Sequence, residues 1–300
     1  MTDGRPVRIA DRLSASEIDQ VLALASAAER ADGVYPLSED VVLRVRGGGD
    51  TAGRVHLLAA TGDGLAGYAF LDRTDPEGPA GELVVDPGCR RQGHGTALLN
   101  AIGDDDVRFW AHGDEPGAQA FAEKNGLRRV RVLWQMRRPL DVPLADAPLP
   151  AGVTIRHFRP GSDEQAWLGV NSRAFSHHPE QGRWTVDDLR LREEEPWFDP
   201  AGFLLAVDIE DTLLGFHWTK VHPAAGDDPA LGETYVLGVD PGGHRRGLGA
   251  ALTVEGLRHL AAEGLSTAML YVDESNSAAV ALYRRFGFEI YKADVMYQRG

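Results

Sequence analysis

At 300 residues, the chain is longer than one hydrophobic core usually serves, and two domains of ordinary size are expected. Hydrophobic residues at 43% and charged residues at 25% exclude a fibrous, collagen-like or wholly disordered protein. The formal charge of -14, from 45 acidic and 31 basic residues, repels phosphate backbones and anionic lipid.

No strong basic patch offsets that charge, so neither nucleic acid nor a membrane is expected as a partner. Cys89 is the single cysteine; it can close no internal disulfide and rules out a cysteine-rich zinc site. With no secretory segment and no apolar run of about 20 residues, a cytoplasmic monomer is expected.

In chain order, a strand is expected near Val7 to Ala10, then a helix opened by Ser14, with Glu17 completing a capping box. Strands follow near Val55 to Ala60, Gly67 to Leu71 and Glu82 to Val85. A helix from about Gly93, a strand near Val107 to Ala111, a short helix and a strand near Arg128 to Met136 complete the first half. Three prolines between Asp141 and Gly152 remove backbone donors and favour extended, solvated chain. The order then repeats: strand Val153 to His157, helices Asp163 to Phe175 and Val186 to Glu193, and strands Phe203 to Val207, Leu213 to Val221 and Thr234 to Val239. A helix Arg245 to Ala262, a strand Ala268 to Val272, a helix Ser277 to Phe286 and a strand Phe288 to Met296 close it. The expected domains are 1–140 and 152–300, joined by a linker at 141–151.

The repeat extends to residues. Leu83-Val-Val-Asp-Pro-Gly-Cys-Arg-Arg-Gln-Gly-His-Gly95 returns as Leu237-Gly-Val-Asp-Pro-Gly-Gly-His-Arg-Arg-Gly-Leu-Gly249, 154 residues on. Each copy is an apolar strand that turns, through Asp-Pro-Gly and basic residues, into an apolar-faced helix. Such a turn aims unpaired N–H groups and the positive helix end at one point, which suits a pyrophosphate. Gly93, Gly95, Gly247 and Gly249 permit close backbone approach, and Arg90, Arg91, Arg245 and Arg246 add charge. A plain tight turn fits the local pattern equally well. A dinucleotide fold does not, because Leu98 and Leu252 stand where its third glycine would fall.

The pattern Arg90-x-x-Gly93-x-Gly95 resembles the coenzyme A loop of the GCN5-related N-acetyltransferases, or GNAT family; in the second copy His244 takes the first place. Downstream, Asn276 falls where a helix would start, and Tyr283 lies two turns further along the same face. A phenol there could protonate a departing thiolate; a core tyrosine with its hydroxyl at the rim is the alternative. Aligned on Gly126 and Gly287, the first half carries Ala122 for Tyr283 and Glu115 for Asn276. That copy is therefore expected to hold a nucleotide-like ligand without catalysing.

An amine nucleophile must lose a proton before it attacks a thioester, and Glu233 is the candidate base. Alternation puts Glu233, Tyr235, Leu237 and Val239 on one strand face, beside the backbone that leads into the loop. A surface carboxylate at a strand end is the bland reading. At the 154-residue spacing Glu82 matches Val236, on the face opposite Glu233, so it is not expected to be the counterpart.

The resemblance covers nearly the whole chain through Asp32-Gly-Val34, Glu82-Leu-Val-Val85, Phe109-Trp-Ala-His-Gly113, Gln135-Met-Arg-Arg-Pro-Leu140, His178-Pro-Glu-Gln181, Trp197-Phe-Asp-Pro200 and Gly215-Phe-His-Trp-Thr-Lys-Val-His-Pro223. These segments are similar to tandem GNAT enzymes that acetylate the cysteinyl amine of a cysteinyl-glucosaminyl-inositol. The resemblance implies an α/β fold: two GNAT-like domains in tandem, with mixed, mostly antiparallel sheets flanked by helices, the second domain catalytic. It implies acetyl-CoA as co-substrate, contacting Leu237, Gly238 and Val239, the loop His244, Arg245, Arg246, Gly247, Leu248, Gly249 and Ala250, and the turn Asn276, Ser277, Ala278, Ala279, Val280 and Ala281. A second acetyl-CoA is implied at Leu83, Val84 and Val85 with Arg91, Gln92, Gly93, His94, Gly95 and Thr96. The small-molecule amine would lie between the domains, touched by Glu39, Glu180, Lys220, Glu233 and Tyr271.

Direct transfer is then expected, with Glu233 as base and Tyr283 as acid; Cys89 serves as a small turn residue. No metal is expected. His177 and His178 point apart, and His217 and His222 fall on opposite faces of a strand. The competing readings are an acetyltransferase for another small amine and a non-catalytic acyl-CoA sensor.

Overall fold

The computed structural model describes residues 6–47, 51–62, 64–75, 77–103, 106–176, 181–224, 228–243 and 247–299. The chain divides into two compact units, one of Met1–Leu133 with Ala293–Gly300 and one of Trp134–Lys292.

In the first unit β1 (Val7–Ala10), β2 (Arg54–Thr61), β3 (Gly64–Asp72) and β4 (Ala80–Val85) pair antiparallel in that order. β5 (Arg108–Ala111) runs parallel to β4. α1 (Ala15–Asp32) starts at the Ser14–Glu17 capping box and stops at Gly33, whose left-handed φ of 72° closes the last turn. Its Val21, Leu24 and Ala28 pack on Leu58, Tyr68 and Phe70. α2 (Glu39–Val45) joins that face, although its run of valines reads as strand. A poor helix former costs at most about 0.7 kcal/mol, whereas burying Val41 and Val45 returns about 1.5–3 kcal/mol each. On the other face α3 (His94–Ile102) and α4 (Pro116–Lys124) set Leu98, Leu99 and Ala122 against Leu57, Ala69 and Leu71.

The second unit repeats the plan. β7 (Thr154–His157), β8 (Phe203–Val207), β9 (Leu213–His222) and β10 (Leu231–Val239) are antiparallel, and β11 (Thr267–Asp273) runs parallel to β10. α5 (Glu164–Ala174) and α6 (Val186–Glu193) cover one face through Trp167 and Leu189, which pack with Phe203, Phe216 and Trp218. α7 (Leu248–Ala262) and α8 (Ser277–Arg285) cover the other.

The division falls inside two strands. β6 (Leu127–Pro139) passes into the second unit at Trp134 and lies next to β11. The end of β12 (Glu289–Arg299) belongs to the first unit, where Val295 to Gln298 pair antiparallel with β5. The proline-rich stretch lies within the second unit. It is extended but not solvated throughout, because Leu144 and Ala147 pack with the α7–α8 core and Leu149 packs near Leu248 and Leu252. Among the described residues no helix is long and apolar enough to cross a membrane.

Candidate active site

The sheet of the second unit opens where two parallel strands part. β10 and β11 pair from Leu231/Thr267 to Thr234/Leu270, and then β10 continues to Val239 and β11 to Asp273 without further pairing. The main-chain groups of Leu237, Gly238 and Val239 on that edge are thus left to another partner. The loop follows at once. Asp240 accepts a bond from Gly242 N at 2.8 Å and is gripped by Arg173 of α5. Gly247, at φ 90°, starts α7 without a side-chain cap, which leaves the first N–H groups of Leu248, Gly249 and Ala250 uncapped by side chains. His244, Arg245 and Arg246 lie outside the described residues, as does Glu180.

The first unit has the same opening. β4 pairs with β5 as far as Glu82/Trp110, leaving Leu83, Val84 and Val85 beyond. Gly93, at φ 92°, starts α3 without a side-chain cap. Arg91 and Gln92 are exposed, Thr96 is half-buried, and His94 and Gly95 are buried. Arg90, the leading arginine of the motif, is committed locally: its guanidinium makes two bonds to Asp32 at the end of α1, at 2.7 and 2.6 Å. Arg173 holds Asp240 in the second unit, so each loop is latched to the first helix of its own unit by one arginine–aspartate pair.

The simple alternation expected around Glu233 does not hold. β10 bulges between Thr234 and Val236: Thr234 stands opposite Thr219 and Val236 opposite Trp218, with Tyr235 as the extra residue. A bulge inverts the face of everything beyond it. Glu233 therefore shares its face with Val236 and with Lys220 and His222 of β9, while Leu237 and Val239 turn to the α7 side. The same inversion corrects the expectation for Glu82. It matches Val236 as expected, but Val236 lies on the Glu233 face, so Glu82 occupies the equivalent face of its own sheet.

On that face Glu233 is buried, and its Oε2 lies 2.7 Å from His222 Nε2. Burial alone would raise the carboxyl; the His222 bond and the charges of His222 and Lys220 overcome this and hold it below its ordinary value. Lys220 Nζ sits over the rings of Trp197, at 4.3 Å, and Tyr235, at 5.1 Å. Tyr271 follows Met269, the residue in register with Glu233, by two positions and so faces the same way; it is exposed, and its hydroxyl accepts from Gln135 Nε2 at 2.8 Å. Lys220, Glu233 and Tyr271 are thus brought together. Glu39 is the first residue of α2 in the first unit, after the Ser38 cap.

Tyr283 comes from the other face. Its ring packs with Leu270, Val272 and Val280 and meets Phe288 edge to face at 5.8 Å; burial raises its hydroxyl to about 12, which keeps it protonated. Asn276 caps α8 by accepting from Ala279 N at 3.1 Å. Ser277, Ala278 and Ala281 are exposed and Ala279 is half-buried, whereas Val280 is a core residue and can offer a ligand only its backbone.

His222, Tyr235 and Trp197 escaped the sequence reading as site residues. Only His222 left a signal, since it follows Lys220 by two on a strand and must share its face.

A parallel pair that parts beside a glycine turn, twice in one chain, fits the tandem GNAT build that the sequence resembles. Models of the acetyltransferase (GNAT) family match residues 171–288, and of an acetyltransferase (GNAT) domain residues 52–128. Mycothiol acetyltransferase of Salinispora arenicola is 56% identical, covering 99% of this chain and 98% of its own. That of Thermobispora bispora is 54% identical, over 98% and 99%. The chain belongs to the mycothiol acetyltransferase family. A GCN5-related N-acetyltransferase from Sphaerobacter thermophilus has a similar structure, with a TM-score of 0.63 at 25% identity over 97% of this chain and 95% of that one. A tandem GNAT protein from the clavulanic acid biosynthesis pathway shares the fold, with a TM-score of 0.68 at 20% identity over 98% and 99%.

Proposed function

We propose that the chain moves the acetyl group of acetyl-CoA onto the cysteinyl amine of the cysteinyl-glucosaminyl-inositol, the step that completes mycothiol, and does so in the carboxy-terminal half. The reading rests most on one observation: Lys220, Glu233 and Tyr271 share a sheet face beside the unpaired edge of β10. The name carried by relatives more than half identical supports the substrate.

Glu233 takes the ammonium proton, directly or through water, and the free amine attacks the thioester carbon. N–H groups of the Leu237 to Val239 edge meet the negative charge that develops on the carbonyl oxygen. Tyr283, neutral and buried on the opposite face, gives its proton to the departing thiolate, and the second proton shed by the nitrogen as the amide forms returns to Tyr283. Lys220 donates to hydroxyls of the sugar-inositol, and Glu39, Glu180 and Tyr271 complete its contacts. No covalent acyl-enzyme and no metal take part, and we place the reaction in the cytoplasm on a monomer. The amino-terminal half holds a second acetyl-CoA without catalysing, since Ala122 and Glu115 replace the tyrosine and the asparagine.

Incubation with acetyl-CoA and the cysteinyl-glucosaminyl-inositol should give free coenzyme A and a product heavier by one acetyl group. If thiol is released only with other amines the substrate is wrong, and binding of acetyl-CoA with no turnover on any amine favours the sensor. Tyr283→Phe should lower kcat about 100-fold with KM for the amine little changed, because only the departing thiolate needs the hydroxyl. A KM effect without a kcat effect would remove Tyr283 from the chemistry.

A further inference from the structure

Glu233 is almost closed to water, with 8% of its side chain accessible, whereas His222 is 34% accessible. A base that takes one proton in each turnover must also lose one. Among the described residues the Glu233 carboxylate has a single neighbour suited to receive it: His222 Nε2, 2.7 Å from Oε2. The remaining groups on this face cannot serve. Lys220, the other charged side chain acting on Glu233, carries its own proton and rests on the rings of Trp197 and Tyr235. Tyr235 Oη accepts from Arg192 Nε of α6 at 2.8 Å, and the Tyr271 hydroxyl accepts from Gln135. His222 is the last residue of β9, where the strand leaves the sheet.

We infer that His222 is a positioning residue that holds the Glu233 carboxylate and carries its proton out to solvent. This rests on Glu233 being the base. In the tautomer with hydrogen on Nδ1, the neutral ring accepts the proton from Glu233 at Nε2. The imidazolium then releases its Nδ1 proton to water or buffer, which leaves the ring neutral with hydrogen on Nε2, where it bonds the carboxylate. Proton exchange with solvent at the 34% accessible ring returns the hydrogen to Nδ1 before the next transfer. Nothing is oxidised or reduced, and one proton leaves per acetyl group transferred. His222 also fixes one carboxylate oxygen and leaves the other to the ammonium.

The test uses the full chain with acetyl-CoA and the cysteinyl-glucosaminyl-inositol, comparing His222→Gln, His222→Ala and Glu233→Gln in dilute buffer across pH 6 to 9. His222→Gln can still donate an amide N–H to Glu233 but cannot pass a proton. Its kcat should fall about tenfold or more, with KM for acetyl-CoA within about twofold and the pH profile of kcat altered. Added imidazole should restore the kcat of His222→Ala in proportion to its concentration, which a purely structural loss would not show. Native kcat and pH profile in His222→Gln, or no response of His222→Ala to imidazole, overturns the inference while a dead Glu233→Gln leaves the base in place. Native kcat in Glu233→Gln removes the base itself. His222→Gln, close in size and at a strand end, reads the outcome should the alanine variant fail to fold.

Discussion

Glu233→Gln is expected to lower kcat by about 100- to 10,000-fold, the usual worth of a placed general base, while affinity for acetyl-CoA stays within about twofold. The amide has the shape of the carboxyl and can take a bond from His222, but it has no basicity. Because His222 and Lys220 hold the carboxyl below its ordinary value of 4.5, it is ionised throughout the neutral range. The ammonium is the form from which ionised Glu233 draws its proton, so kcat/KM should fall on the alkaline side as the substrate amine, whose ordinary value is about 7.7–8.0, loses that proton to solvent. The variant should lower the plateau. Stability obeys the same sign. A carboxyl with a lowered folded value stabilises the fold above its ordinary value, and that contribution is lost as pH falls through the folded one. The window lies below 4.5, clear of the assay. Removing the Glu233 charge that faces Lys220 costs about 1–3 kcal/mol, which a thermal melt reads separately from turnover. A folded Glu233→Gln protein that acetylates at the native rate would remove the base from this mechanism.

What the sequence disclosed follows from how local each feature is. The Ser14–Glu17 box and the two glycine turns are written within a few residues, and α1, α3 and α7 start after Ser14, Gly93 and Gly247. The bulge at Tyr235 is different in kind. It is set by how β10 lies against β9, and a one-residue slip sends Leu237 and Val239 to the face opposite Glu233 while bringing Val236 round to it. Nothing in Gly232-Glu-Thr-Tyr-Val announces that choice. The partner of the last strand is also hidden, since alternation in Val295 to Gln298 would suit any open edge and the chain uses β5, far back in sequence. α2 is hidden in the sequence because packing, not propensity, makes it a helix. In the sequence His222 stands only as one of two histidines on opposite strand faces, whereas its meaning lies across the strand pair in Glu233.

Replacing His112 by alanine should destabilise the first unit by about 3–5 kcal/mol, the cost of breaking a buried ion pair by removing one partner. His112 stands between two carboxylates, Nε2 at 3.3 Å from Glu82 Oε1 and Nδ1 at 3.0 Å from Asp294 Oδ2. The carboxylates are fixed in turn: Glu82 accepts from the backbone N–H of Ser38, and Asp294 from that of Gly113, both at 2.8 Å. One ring thus ties β4 and the end of β12 together, and through Glu82 it also holds the cap of α2. Burial by itself would lower the imidazole; Glu82 and Asp294 outweigh it and raise it to about 10 from 6.5. A histidine raised in this way contributes fully below 6.5, and its contribution is lost as pH climbs through about 10. The gap in Tm between native and His112→Ala should therefore be widest at pH 6 and shrink steadily toward pH 10, when melts are run at one ionic strength. A gap that stays constant over that range would mean the ring acts by packing and not by charge. There is a catalytic consequence too. Glu39 follows Ser38, whose N–H the cluster holds through Glu82. If Glu39 serves the sugar-inositol as proposed, the alanine variant, assayed well below its Tm, should raise KM for the amine while kcat at saturation stays near native.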